Sequence, residues 1–176
     1  MKYESEIVNL LEENPISYYW IGFIMADGSR SNSNRLSICL AAKDRHHIER
    51  FKAFIKSKAP INKTKRHNTY YMAMMDTSVI GQLAMKFDID HQKTYRPPSI
   101  NAMPIDDDLF CSLLIGFIDG DGCVFQQTGR KDCGMIIKCH SSWADLLQYF
   151  SNRLCEIMNL KPNTVHINKY GYAELR

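Results

Sequence analysis

The stretch Trp20-Ile21-Gly22-Phe23-Ile24-Met25-Ala26-Asp27-Gly28 returns 94 residues later as Leu114-Ile115-Gly116-Phe117-Ile118-Asp119-Gly120-Asp121-Gly122, with six of nine positions identical. Repetition at this distance marks two like units, not a local motif. Each copy follows a helix-start signal, Asn14-Pro15 with Ser17 in the first and Asp106-Asp107-Asp108 in the second. Each ends in Asp-Gly, and glycine commonly follows a helix. Small residues four apart, Gly22 with Ala26 and Gly116 with Gly120, leave a groove along one helix face. Such a groove lets two backbones approach closely. The two helices are therefore expected to pack on each other, with Asp27 and Asp121 at the same end.

Elements outside the motif repeat in outline. Arg35–Leu40 alternates apolar and polar residues, as a half-buried strand does. Asp44 stands where it can cap a helix carrying Ile48, Phe51, Phe54 and Ile55. A strand pair is expected around Ile61–Lys65 and Tyr70–Met75, then a helix over Thr77–Phe87. In the second copy Cys123–Gln127 and Met135–His140 read as a hairpin. Ser142 is placed to cap a helix holding Leu146, Leu147, Phe150 and Leu154. Val165–Asn168 and Tyr172–Leu175 read as the last strand pair. The fold class expected is α+β, two pseudo-symmetric αββαββα halves with antiparallel sheets. The halves span 1–93 and 106–176, joined by a linker over 94–105 that carries Pro97, Pro98 and Pro104. No counterpart of Thr77–Phe87 follows Leu175, so the second half reads as incomplete. Leu146, Phe150 and Leu154 are accordingly expected to lie uncovered, favouring self-association.

Composition narrows the class. Of 176 residues 45% are hydrophobic and 23% charged, which excludes a disordered chain. No run of about 18 apolar residues exists, so no membrane partner is expected. The start, Met1-Lys2-Tyr3-Glu4-Ser5-Glu6, opens no secretory core. The chain reads as intracellular, with its six cysteines reduced.

The acids carry the chemistry. A carboxylate at a helix C-terminus opposes the helix dipole at a cost of about 0.3–1 kcal/mol. Two carboxylates ~4 Å apart repel by about 4 kcal/mol at an effective dielectric of 20. Stability alone would not place them there. A hard divalent cation neutralises both, and Mg²⁺ suits paired acids and backbone oxygens. Such ions can activate water and stabilise a leaving oxygen in phosphodiester cleavage. Met25 stands where the second copy has Asp119, so Asp119 falls outside the symmetric pair.

In these residues the chain resembles the LAGLIDADG homing endonucleases in their two-motif, single-chain form. The resemblance rests on Trp20–Gly28 and Leu114–Gly122 and extends through the repeat over nearly the whole chain. It implies two four-stranded sheets forming a saddle over double-stranded DNA. It implies a site-specific double-strand endonuclease, intron-encoded or free-standing, acting as a monomer on a duplex target. Asp27 and Asp121 would hold Mg²⁺, with Mn²⁺ able to substitute, and the carbonyls of Ala26 and Gly120 would add ligands. Lys93 matches the basic residue found near such sites. His140 matches a solvent-holding polar position, for which Ala42, next to Lys43, stands in the first half. The alternative is a non-cleaving protein on the same fold, acting as an intron RNA maturase or a DNA-binding regulator. The resemblance places such a protein in a bacterial or phage cytoplasm or in an organelle.

Strand alternation gives a nucleic-acid face. With Leu36, Ile38 and Leu40 turned inward, Arg35 and Ser37 turn outward, near Arg30. Lys63 and Lys65 share a face by the same rule, with Arg66 beyond. In the second half Lys138 pairs with His140, and His166 with Asn168. Gln126, Arg130 and Lys131 lie at the hairpin tip. Arg, Lys, Gln and Asn can read base edges in a major groove, which admits a two-stranded ribbon. Tyr70 and Tyr71 are expected to serve sheet packing.

Overall fold

The computed structural model describes residues 3–65, 67–126, 129 and 133–176. A short 3-10 turn, Ile7–Leu11, buries Ile7 and Leu10 in the core. Helix α1 spans Pro15–Asp27; the Asn14 side chain accepts a hydrogen bond from the Ser17 amide, and proline fills the first helical turn. Helix α4, Asp107–Asp121, begins alike, the Asp106 side chain accepting from the Leu109 amide. The strands are β1 (Gly28–Arg30), β2 (Arg35–Ala41), β3 (Asn62–Lys63), β4 (Thr69–Met75), β5 (Gly122–Gln126), β6 (Cys133–His140), β7 (His166–Ile167) and β8 (Tyr172–Leu175). Helices α2 (Arg45–Phe54), α3 (Thr77–Lys86) and α5 (Ala144–Ile157) complete the set. Two antiparallel sheets result, ordered β1-β2-β4-β3 and β5-β6-β8-β7. The fold is α+β, built twice on one plan.

The repeated helices meet backbone to backbone. A Cβ on Gly22 would stand 1.8 Å from the Leu113 carbonyl oxygen, and one on Gly116 would stand 1.8 Å from that of Tyr19. One turn on, a Cβ on Gly120 would stand 2.4 Å from the Ala26 methyl. All four residues expected at the helix interface are there, reciprocally placed. The glycines after the helices follow them as expected, but close packing and not a left-handed turn requires them. Gly28 and Gly122 are extended, with φ of −72° and −87°. A Cβ there would run into the carbonyl oxygen of Ile24 or Ile118, at 2.6 and 2.5 Å. Helix passes directly into strand, so the acid before each glycine sits at the joint.

Several local expectations give way to tertiary structure. The Asp44 side chain makes no capping bond, because a 3-10 turn over Ala42–Asp44 leads into α2. A matching turn, Ser141–Trp143, leads into α5; the His140 side chain caps that turn by accepting from the Ser142 amide, and α5 itself has no side-chain cap, so Ser142 does not cap it. The Ser142 hydroxyl instead donates to the Thr94 carbonyl. Leu146 and Phe150 are buried, not uncovered, and Leu154 is partly buried. The α4 rings supply the cover: Phe110 and Phe117 lie 6.0 and 5.4 Å from Phe150, and Trp143 stacks on Phe117. The reason given for self-association at that face is thereby removed. All six cysteines are free thiols. Among the described residues no helix is long and apolar enough to cross a membrane.

Overpacking a filled contact costs about 1–3 kcal/mol or more. Gly22→Ala and Gly116→Ala meet rigid carbonyls, so each is expected to lose about 3 kcal/mol or more of stability in urea melts. Gly81→Ala in α3, whose new methyl would meet only the Asn34 side chain at 3.2 Å, is the control and should change little.

Candidate functional site

Because α1 and α4 touch along their last two turns, Asp27 and Asp121 converge where the two sheets begin. Asp27 Oδ2 lies 3.5 Å from where a Gly120 Cβ would stand, in van der Waals reach of the other helix's backbone. Burial, and then the Asp121 charge, pushes the Asp27 carboxyl up to about 6, against the downward pull of Lys93. Asp121 is also raised by burial, while Lys93 and a hydrogen bond from Cys139 pull it back. The Cys139 thiol lies 3.7 Å from Asp121 Oδ2. Burial and that carboxylate push the thiol up to about 12, so it stays protonated and donates.

Lys93 completes the site. Its ammonium donates to the carbonyls of Met25 and Ala26, at the C-terminal end of α1. Cations are favoured at that negative end of the helix dipole. Burial lowers the Lys93 pKa, while Asp121 and Asp27 hold it up, which puts both carboxylates in its field. Two bonds to the second half fix the segment that carries it: Trp143 Nε1 donates to the Lys93 carbonyl at 3.0 Å, and Ser142 Oγ to the Thr94 carbonyl at 2.7 Å. The donor set is all oxygen, half-buried and acidic, which fits a hard divalent cation. The Ala26 carbonyl, expected as a metal ligand, here accepts the lysine ammonium. Among the described residues no group of three or more His, Cys, Asp or Glu side chains gathers as a metal cluster.

The surroundings differ between the halves. Gly28 pairs with Ile38 and Gly122 with Ile137. That register makes Cys139 the counterpart of Leu40, and His140 the counterpart of Ala41, not of Ala42. His140 Nδ1 contacts the Ser142 amide and hydroxyl at 3.2 and 3.0 Å, and its ring meets Tyr95 edge-on. A cavity of about 220 Å³ beside the acids is lined by Phe23, Asp27, Leu40, Asp44, His46, His47, Asp119 and Gly120. At its wall the Tyr19 hydroxyl donates to Asp119 at 2.6 Å and lies 3.2 Å from His47 Nε2. Asp119 thus bonds across the helix pair and stays out of the acid pair, as the repeat suggested. Neither Cys139 nor Asp44 nor the Tyr19–Asp119–His47 chain stands out in the sequence as part of a site. Alternation with Ile137 is the one signal that turns Cys139 inward, toward the acids.

Register decides which expected DNA contacts face outward, since directly opposed residues share a sheet face. Arg35 and Ser37 oppose Met75 and Ala73 on the outward side, as expected. Lys138 and His140 oppose Glu174 and Tyr172, and His166 opposes Glu174, all outward. Asn168 Nδ2 joins them by donating to Glu174. Arg30 is a correction. It opposes buried Leu36 on the helix side and bonds to the Ile89 carbonyl and Asn34, so it braces the fold. Lys63 is another, opposing Tyr70 on that same side. The strand ends there, and Thr64 closes a turn onto Thr69, so Lys65 follows no strand alternation. Gln126 opposes Cys133 on the side of Ile137, away from the outward face. Tyr71, expected in packing, opposes Cys39 and stands on the outward face. Arg66, Arg130 and Lys131 lie outside the described residues.

No family model and no curated protein matches the sequence. Solved structures match the fold. The I-SmaMI meganuclease bound to uncleaveable DNA aligns over 92% of this chain and 78% of its own, with a TM-score of 0.57 and 17% identity. The I-LtrWI LAGLIDADG homing endonuclease bound to target DNA gives 0.55 and 13%, over 96% and 78%. A variant of I-DmoI in complex with its target DNA, nicked in the coding strand and with manganese present, gives 0.58 and 17%, over 92% and 87%. The fold is that of the LAGLIDADG homing endonucleases, as the repeated motif implied.

The Asp27 pKa carries a stability consequence. A folded-state value near 6 exceeds the unfolded value near 3.9. The folded protein therefore binds the extra proton between these values, and metal-free stability falls as pH rises through that window. Asp27→Asn removes the penalty. In metal-free buffer it should stabilise the protein by about 1–2 kcal/mol at pH 7.5, and by little at pH 4. Urea melts at both pH values check this.

Proposed function

We propose that this protein is a divalent-metal-dependent, site-specific double-strand DNA endonuclease of the homing type, encoded by an intron or free-standing. The observation that carries the reading is the convergence of Asp27 and Asp121, from two copies of one motif, at a half-buried joint beside Lys93. The structure spends packing on bringing like charges together, which a plain scaffold has no reason to do. The neighbours named above are DNA-bound homing endonucleases, and their fold is this one.

In this reading Asp27 and Asp121 would hold Mg²⁺ or Mn²⁺, with the Gly120 carbonyl beside them and that of Ala26 once Lys93 moves. The ion supplies a nucleophilic water and charge stabilisation at the cleaved phosphate. The chain's own part is positional. The glycine contacts fix the two carboxylates relative to each other, one for each DNA strand. Lys93, tied to the second half through Trp143, brings one positive charge to where a phosphate oxygen gains negative charge. Cys139 donates to Asp121 and orients it. The outward sheet faces, with Arg35 and Ser37 on one and Lys138, His140, His166 and Asn168 on the other, lie against the duplex. The protein works inside the cell that carries its target, as a monomer, because one chain supplies both acids.

A randomised plasmid library, incubated with Mg²⁺ or with EDTA and sequenced at its breaks, tests the proposal. Cleavage at a recurrent site with Mg²⁺ alone is expected. Asp27→Asn and Asp121→Asn should each abolish double-strand cleavage while duplex affinity stays within about threefold, since the acids touch no base. Sequence-selective binding without cleavage by the wild type would instead mark a non-cleaving binder or an RNA maturase.

A further inference from the structure

The outward face of the second sheet has an acid at its centre. Glu174, on β8, is flanked by Lys138 on β6 and by the segment after β7. Its Oε1 accepts from Asn168 Nδ2 at 2.7 Å and lies 3.3 Å from Lys138 Nζ. Its Oε2 lies 3.2 Å from an Arg176 guanidinium nitrogen. Only 17% of the Glu174 side chain is exposed, against 49% for Lys138. The Lys138 ammonium also lies 5.0 Å from the centre of the Tyr172 ring, so it is held from two sides.

Among the described residues the first sheet has nothing comparable. Its register counterparts of Lys138 and Glu174 are Cys39 and Tyr71, which oppose each other without charge. The cluster is therefore a property of one half and not of the shared plan. An acid on a surface facing a polyanion weakens a sequence-independent grip. It makes sense where geometry counts for more than charge. A carboxylate can accept from the cytosine amino group, and a lysine can donate to guanine O6 and N7.

Resting on the endonuclease reading above, we propose that Glu174, Lys138 and Asn168 form a preorganised base-reading cluster that selects a G·C pair in the half of the target lying under the second sheet. Glu174 is the specificity determinant. It accepts from the cytosine amino group and, as a positioning residue, aims Lys138 at the guanine edge. Asn168 buttresses the carboxylate and fixes its plane.

The test uses binding selection on a duplex library with a random core of about 20 base pairs, in EDTA so that no site is cut. Wild type should enrich a motif with an invariant G·C pair in one half. On duplexes varied at that position it should prefer G·C to A·T by about tenfold or more. Glu174→Gln keeps the shape and the Asn168 contact but loses the charge. It should cut that preference to within about threefold and leave the other motif positions unchanged. Lys138→Met should blunt the same position, which covers the case of a Glu174 variant that fails to fold. A purely structural salt bridge predicts a different pattern: altered melting temperature and uniformly weaker binding, with the motif intact. Retention of the full G·C preference by folded Glu174→Gln overturns this proposal and leaves the endonuclease reading standing. Failure of wild type to enrich any sequence overturns both.

Discussion

The close approach of α1 to α4 is the constraint on which the rest depends. Gly22 faces the Leu113 carbonyl and Gly116 faces that of Tyr19, at distances that leave no room for a methyl group. The contact fixes the separation and rotation of the two helices together. Each helix ends in an acid and then passes straight into the first strand of its sheet. Fixing the helix pair therefore fixes two carboxylates and the origins of two sheets in one step. The repulsion between the acids, of order a few kcal/mol, is offset by the dense apolar packing behind them. Phe23, Phe117 and Met25 in the same helices are almost wholly buried.

Lys93 settles the remaining charge. Its ammonium takes the negative end of α1 and lies in the field of both acids, so the site carries a net charge of about −1 with both acids ionised. One cation shared between two carboxylates makes the symmetric backbone asymmetric in chemistry. The same holds at three neighbouring positions that the register or the repeat equates: Leu40 against Cys139, Ala41 against His140 and Met25 against Asp119. Asp121 has a thiol donor that pulls its carboxyl back toward the usual range, whereas Asp27 is pushed further up by the Asp121 charge.

Much of this is legible in the sequence. Two copies of one nine-residue motif carry the helix pair, the small residues at its seam and the convergence of the acids, because steric demand at a helix crossing is written directly into residue size. Lys93 is legible through the family resemblance alone, since nothing in a linker sequence says which carbonyls a lysine reaches. The outward sheet face proposed to meet DNA is half legible. Period-two alternation works inside the long strands β2 and β6, where Arg35, Ser37, Lys138 and His140 face outward as expected. It fails at strand ends. Arg30 and Lys63 lie in strands of three and two residues, where pairing with a neighbour sets the face and the local pattern is too short to show it. Gln126 fails likewise at the end of β5. The Ser142 cap and the uncovered Leu146 and Phe150 are wrong for separate reasons. The first fails because the chain enters α5 through a 3-10 turn capped two residues earlier by His140, the second because the α4 aromatics cover that face from a distant element.

Glu174 escapes a reading of sequence that looks for basic residues, because acids do not suggest a nucleic-acid face. Its surroundings argue the reverse. A lysine on an exposed strand has several rotatable bonds and contributes charge without direction. A carboxylate between strands converts that charge into a fixed donor, and ordering the side chain before binding lowers the entropy lost on contact. Among the described residues the first sheet does without this device and presents Cys39, Tyr71 and Thr64 at the matching places. The duplicated backbone thus supplies two equivalent platforms, while the side chains on them have taken different chemistries. In the endonuclease reading proposed above, an asymmetric duplex calls for that division: the pseudo-symmetric helix pair would set the spacing of the two cuts, and the unlike sheet faces would set which sequence lies on each side of them.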